Sequence, residues 1–119
     1  MKKTVVLGAS VNPDRYSYRA IQALVKSGIE TSAVGLREGN VAGVEIQRNF
    51  DSIKDIHTVT MYVGPENQKV WIEQILALNP IRVIFNPGTE NKDVENRLHD
   101  AGIATEHACT LVLLATNQY

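Results

Sequence analysis

The stretch Thr4-Val5-Val6-Leu7-Gly8-Ala9-Ser10, continued by Val11-Asn12-Pro13-Asp14-Arg15-Tyr16-Ser17-Tyr18, decides how the chain is read. An apolar, β-branched run that breaks on glycine and small residues just ahead of a helical pattern is the junction by which α/β folds bring backbone N–H groups up to a phosphate. Gly8 and Ala9 put little side chain in the way of an anion, Ser10 offers a hydroxyl, and Arg15 and Arg19 offer charge-assisted bonds. Ser17 is also a good helix N-cap residue, so capping competes there with ligand binding.

Outward from this junction the periodicity switches repeatedly. Strand-like runs occur at 3–7, 30–34, 58–63, 82–85 and 103–105, short and mostly apolar or β-branched, which suggests burial on both faces. Between them Tyr18, Ile21, Leu24 and Val25, then Trp71, Ile75 and Leu78, then Val94 and Leu98 recur at helical spacing. Gly28 and Gly102 stand where left-handed C-caps favour glycine, and Asn91 can cap the third helix with Asp93 in its first turn. The alternation implies right-handed crossovers and a parallel sheet. The expected architecture is α/β: a doubly wound, Rossmann-like sheet of about five strands with helices on both faces, one domain over residues 1–119. Residues 35–57 break the rhythm; a turn, a short edge strand near 44–46 and one helical turn from Ser52 are expected there.

Composition narrows the function classes. With 119 residues, 44% of them hydrophobic, and a formal charge of −1, one ordinary core is expected. The 12 Lys and Arg are scattered against 13 acids without a basic run, which argues against nucleic acid. The apolar stretch after Lys2-Lys3 ends within a few residues, too soon for a signal segment or membrane span. A single cysteine, Cys109, allows no internal disulfide and fits a reducing, cytoplasmic setting.

In a doubly wound sheet the ligand lies beyond the carboxyl ends of the strands, where the strand order reverses. That rule selects the loops at 8–17, 35–39, 64–67 and 86–91, all rich in Gly, Pro, Asn and Ser. The first is not a dinucleotide fingerprint, because Gly8-Ala9-Ser10-Val11-Asn12-Pro13 lacks the second and third glycines. After the second strand, Val34-Gly35-Leu36-Arg37 has no acid for the ribose hydroxyls of NAD. Arg37 there suits an extra ribose phosphate, as in NADP or coenzyme A; a solvated Arg37-Glu38 pair is the competing reading.

Gly8-Ala9-Ser10 with Asn12-Pro13 and Arg15-Tyr16-Ser17-Tyr18, together with Asn86-Pro87-Gly88-Thr89-Glu90-Asn91, resembles the stand-alone CoA-binding domain family. That family is similar to the N-terminal domain of the succinyl-CoA synthetase α subunit, and the resemblance covers nearly the whole chain. It implies that Gly8, Ala9 and Ser10 lie against the CoA phosphates and that Arg15, Tyr16 and Ser17 open the first helix beside them. It places Arg37 near the 3′-phosphate and Val63, Gly64 and Pro65 near the adenosine and pantetheine path. Two departures touch the nucleotide end: Val34-Gly35-Leu36 replaces a common Val-Asn-Pro, and Gly64 stands where a first proline is usual.

The implied function is non-catalytic binding of coenzyme A or an acyl-CoA, at a site that includes Asn12, Gly35, Asn86, Pro87 and Gly88. The alternative is an NADP-linked or other nucleotide-binding enzyme. The synthetase's phosphorylated histidine belongs to a separate domain, so no acyl-transfer machinery comes with the resemblance. Ser10 lacks the second glycine of a hydrolase elbow. His57 and His99 read as solvated or capping residues, and His107 and Cys109 as structural, without metal-ligand spacing. Glu106 could act as a base only if something oriented it. Trp71 and the apolar 109–115 segment read as core packing or, alternatively, as a surface for a protein partner or a second copy.

Overall fold

The computed structural model describes residues 2–119. Strands β1 (Thr4–Leu7), β2 (Thr31–Val34), β3 (Gly39–Val41), β4 (Val44–Gln47), β5 (Thr58–Met61), β6 (Arg82–Phe85) and β7 (Ala104–His107) alternate with helices α1 (Tyr16–Lys26), α2 (Ile72–Leu78), α3 (Lys92–Asp100) and α4 (Thr110–Ala115). The strands form one sheet in the order β3-β4-β2-β1-β5-β6-β7. All pairs are parallel except β3 with β4. The sheet therefore has seven strands, not about five.

The two additional strands are a hairpin in the 35–57 segment, where a turn and one edge strand were expected. Its turn, Ala42-Gly43, has positive φ at both residues, 52° and 85°, as a tight hairpin turn requires. Alanine is a poor residue for that conformation, which hides the turn in the sequence. Phe50, Ile53 and Ile56 then anchor an irregular stretch on the core, with no helical turn at Ser52.

Side-chain alternation sorts the core into two layers. Val5, Leu7, Val59, Met61, Val83 and Phe85 face Ile72 and Ile75 of α2 and Val94 and Leu98 of α3. Val6, Ala33 and Ile46 point the other way, onto Ile21 and Leu24 of α1 and Leu114 of α4. Helices thus cover both faces, as continuous apolar strands demand. Gly28 and Gly102 end α1 and α3 with φ of 75° and 80°, and the Asn91 side chain accepts from the Val94 amide at the start of α3.

The amino ends of the strands hold a buried polar cluster. The Arg82 guanidinium donates through Nε to Thr58 Oγ1 at 2.8 Å and through Nη1 to Glu106 Oε1 at 3.1 Å, and it lies 4.6 Å from the Tyr119 ring centroid. Glu106 is thus oriented after all, by Arg82. Thr58 Oγ1 also meets His57 Nδ1 at 2.7 Å. Burial, and then the nearby Arg82 and Lys2 charges, lower the pKa of His57. Among the described residues no helix is long and apolar enough to cross a membrane.

The order reverses between β1 and β5, and Gly8 sits at that point with φ of 93°. A Cβ there would lie 2.9 Å from the Tyr62 carbonyl carbon and 3.1 Å from Val63 Cγ2. Gly8→Ala is expected to cost about 1–3 kcal/mol from backbone strain, read as a lowered urea midpoint with an unchanged slope.

Candidate functional site

The loops beyond the carboxyl ends of β1, β2, β5 and β6 enclose a cleft of about 1110 Å³. Of the residues singled out in the sequence, Gly8, Ala9, Ser10, Asn12, Arg15, Tyr16, Ser17, Gly35, Arg37, Val63, Gly64, Pro87 and Gly88 line it. Pro65 and Asn86 do not, and neither does Arg19, whose guanidinium lies 5.4 Å from the Tyr16 ring centroid. Pro65 opens a 3-10 turn, Pro65–Asn67, whose other two residues line the cleft. Asn86 is buried and its side chain is used within the fold. Its Nδ2 donates to Thr60 Oγ1 at 2.7 Å and to the Met61 carbonyl at 2.9 Å, while Oδ1 accepts from the Thr110 amide at 2.9 Å.

The first loop differs in detail from a simple phosphate cradle. The Gly8 and Ala9 amides both donate to the Val34 carbonyl, at 2.9 and 3.0 Å. They are therefore committed to joining β1 to β2. The Asn12 side chain accepts from the Asp14 amide, and Arg15 N donates to the Asn12 carbonyl, so the chain turns and enters α1 at Tyr16. The N-cap is consequently Arg15, extended at φ −83° and ψ 141°, with no side-chain cap, and Ser17 lies buried inside the first turn. Ser17 is not the cap that its residue type suggests. The amides of Tyr16, Ser17 and Tyr18 have no carbonyl to bond within the helix, and they sit at its positive dipole end. Ser10 Oγ accepts from the Asn12 amide at 3.0 Å, which leaves its hydroxyl hydrogen free to donate.

The loop after β2 packs tightly on the first. A Cβ on Gly35 would fall 2.3 Å from the Ala9 carbonyl oxygen, so only glycine fits this approach. Arg37 follows it at the rim.

Among the other lining residues, Val11, Asp14, Leu36, Glu66, Asn67 and Thr89 lie in the four loops that the sequence selects but were not named as site residues, whereas Tyr62, Lys69, Val70 and Trp71 lie outside those loops. Lys69, Val70 and Trp71 belong to a second 3-10 turn, Lys69–Trp71, ahead of α2. Trp71 packs edge-on against Phe50 at 6.1 Å and presents its remaining edge to the cleft. Val11, Tyr16, Leu36 and Val70 are 53%, 65%, 79% and 72% exposed and all line the cleft, which gathers most of the large exposed apolar side chains of the molecule. None of the ion pairs among the described residues uses Arg15, Arg37 or Lys69. His57, His99, His107 and Cys109 lie outside the cleft. His99 meets Thr105 Oγ1 at 2.7 Å, and His107 meets Glu95 Oε1 at 2.8 Å.

The sequence matches the family model described as CoA binding domain over residues 2–115. The chain belongs to that family. A crystal structure of an uncharacterized protein is 43% identical over all of this CoA binding domain and 98% of its own length, with a TM-score of 0.96. A hypothetical protein from Pyrococcus horikoshii OT3 is 23% identical, with coverage of 93% and 80% and a TM-score of 0.86. An acetyl-coenzyme A synthetase of Ca. Korarchaeum cryptofilum, solved with phosphate and ADP, is 14% identical with a TM-score of 0.77; the match takes in 90% of this chain and 25% of that one. The last two likenesses concern the fold alone. No curated protein matches the sequence.

Burial raises the pKa of Tyr62 strongly, with Cys109 nearby adding to the effect, and burial also raises that of Tyr119. In both cases the fold favours the neutral phenol. The associated stability is complete below the unfolded tyrosine pKa of about 10 and is lost as pH rises above it. A 295 nm titration is expected to show these two phenols ionising only together with alkaline unfolding. Their ionisation in a protein that keeps its near-native circular dichroism would contradict the assignment.

Proposed function

We propose that this Rossmann-like domain binds coenzyme A or an acyl-CoA and carries out no catalysis of its own, acting in the cytoplasm as a small-molecule binding module. The observation that carries the reading is the cleft at the sheet's reversal point. It combines the unpaired cations Arg15, Arg37 and Lys69 with four exposed apolar side chains, on a chain of the CoA binding domain family.

The chemistry of the ligand matches this division. The diphosphate is taken by the Ser10 hydroxyl, the first-turn amides of α1 and the Arg15 guanidinium. Arg37 takes the 3′-phosphate, with Val11 and Leu36 as apolar walls for the adenosine. The pantetheine arm, long and uncharged, runs along Val63, Gly64, Val70 and Trp71 toward Pro87 and Gly88. Gly8 and Ala9 shape the turn instead of donating to the phosphates, since Val34 holds their amides. The absence of catalysis is supported by the positions of the histidines and of Cys109, all outside the cleft.

Calorimetric titration with CoA, 3′-dephospho-CoA, NADP and NAD tests the reading. CoA is expected to bind best, and NADP binding much more tightly would overturn the CoA reading in favour of a nucleotide ligand. Arg37→Ala is expected to weaken CoA by roughly ten- to a hundredfold, the value of one charge-assisted contact of about 1.5–3 kcal/mol, and to leave 3′-dephospho-CoA unaffected. An equal loss for both ligands would remove Arg37 from the 3′-phosphate.

A further inference from the structure

Gln68 lies behind the cleft, fully buried, between the two 3-10 turns that follow β5. Its Nε2 donates to the Val63 carbonyl at 3.0 Å and to the Thr89 carbonyl at 2.6 Å. Both of those residues line the cleft, one from the loop after β5 and the other from the loop after β6. One side-chain amide therefore spans two loops that approach the site from different strands. Its Oε1 is buried with no hydrogen-bond partner. The opposite amide orientation would set Oε1 against two carbonyl oxygens, so the hydrogen bonds fix the side chain as it stands.

A buried unpaired oxygen opposes folding, which limits what this glutamine adds to stability. What it supplies is geometry. The neighbouring ties are less direct: Asn91 Nδ2 reaches the Pro65 carbonyl at 3.2 Å, and Asn86 reaches Met61 further down the sheet. Among the described residues, Gln68 alone joins two cleft-lining carbonyls through its side chain. Its partners belong to the loops after β5 and β6, which carry Val63, Gly88 and Thr89, whereas Arg15 and Arg37 come from the loops after β1 and β2.

We propose that Gln68 is a positioning residue which fixes the spacing of the β5 and β6 loops and thereby shapes the wall that receives the uncharged arm of the ligand. The inference rests on the CoA reading above and deepens it. It requires that changes at Gln68 act on the pantetheine half of the ligand and spare the nucleotide half. The probes are CoA and adenosine 3′,5′-bisphosphate, which lacks the arm.

Gln68→Met removes the donor pair, and Gln68→Glu replaces it with a carboxyl facing two carbonyls. That carboxyl stays protonated to unusually high pH, because neither carbonyl can stabilise its anion. In the protonated form it can donate to one carbonyl; in the ionised form it repels both. At pH 8 both variants are expected to bind CoA about tenfold more weakly, the loss that one or two buried hydrogen bonds produce, with bisphosphate affinity within about twofold of the original. As pH falls toward 5, Gln68→Glu is expected to regain CoA affinity relative to the unchanged protein, and Gln68→Met is not. A purely structural role would weaken CoA and bisphosphate alike at high pH and restore both as pH falls, so a recovery confined to CoA marks the positioning role.

Folded variants that bind CoA as the unchanged protein does would overturn the proposal, as would equal losses for CoA and bisphosphate. Should either substitution prevent folding, the side-chain amide resonances of Gln68 in the unchanged protein decide: they are expected to shift on adding CoA and to stay in place with bisphosphate, and the absence of that difference counts against the role. An unchanged protein that fails to bind CoA overturns the underlying reading of the site, a result separable from CoA binding that is indifferent to Gln68.

Discussion

One carbonyl organises the functional end of the sheet. The oxygen of Val34, the last residue of β2, accepts from two successive amides, Gly8 at 2.9 Å and Ala9 at 3.0 Å. A chain can present consecutive N–H groups to one acceptor only by leaving extended geometry, and Gly8 does so with φ of 93°. The turn bends the chain away from β1 and presses Gly8 onto Tyr62 and Val63, just beyond the end of the neighbouring strand β5, close enough to exclude a Cβ. The same turn brings the Ala9 carbonyl over Gly35. Three loops are thus locked to one another around a single residue without a side chain, and the cleft is the space they leave. The cost is that two amides of the glycine loop are spent on structure. The helix that follows begins with no side-chain cap, so its first-turn amides stay free where those of Gly8 and Ala9 do not.

The sequence made the parallel core legible and concealed the features that depend on local backbone conformation. β6 runs over Arg82–Phe85 as its apolar pattern predicts, and Asn91 caps α3, because long-range burial and capping chemistry are written in residue type. The β3–β4 hairpin turns on Ala42, a residue that carries no turn signal. α4, Thr110–Ala115, is short and apolar nearly all round, so periodicity could not distinguish it from a strand or a surface patch. Ser17 looked like a cap because its residue type favours caps; the Asn12 turn had already directed the chain into the helix two residues earlier.

The site divided along the same line. Thirteen of the fifteen residues named from the sequence line the cleft, since topology places all loops at one sheet edge together. Asn86 drew attention as a loop asparagine, but an amide next to a strand end can satisfy the backbone of neighbouring strands, and it does so. Lys69 and Val70 went unnoticed because 3-10 turns have no apolar period to reveal which face they present.

Charge placement completes the account. The formal charge of the chain is −1, so no long-range field draws an anion to it. Positive charge is instead placed locally, and the two ends of the sheet handle their cations in opposite ways. At the amino ends the Arg82 guanidinium is buried and engaged with Thr58 and Glu106, and with its bonds already made it is a structural group. At the carboxyl ends Arg15, Arg37 and Lys69 are exposed and unpaired among the described residues. Asp14 and Glu66 line the same cleft, which keeps its net positive charge small. The cleft therefore sets a small local excess of positive charge beside the exposed apolar side chains of Val11, Leu36 and Val70. A compact anion would match only the first of these features and a plain hydrophobe only the second.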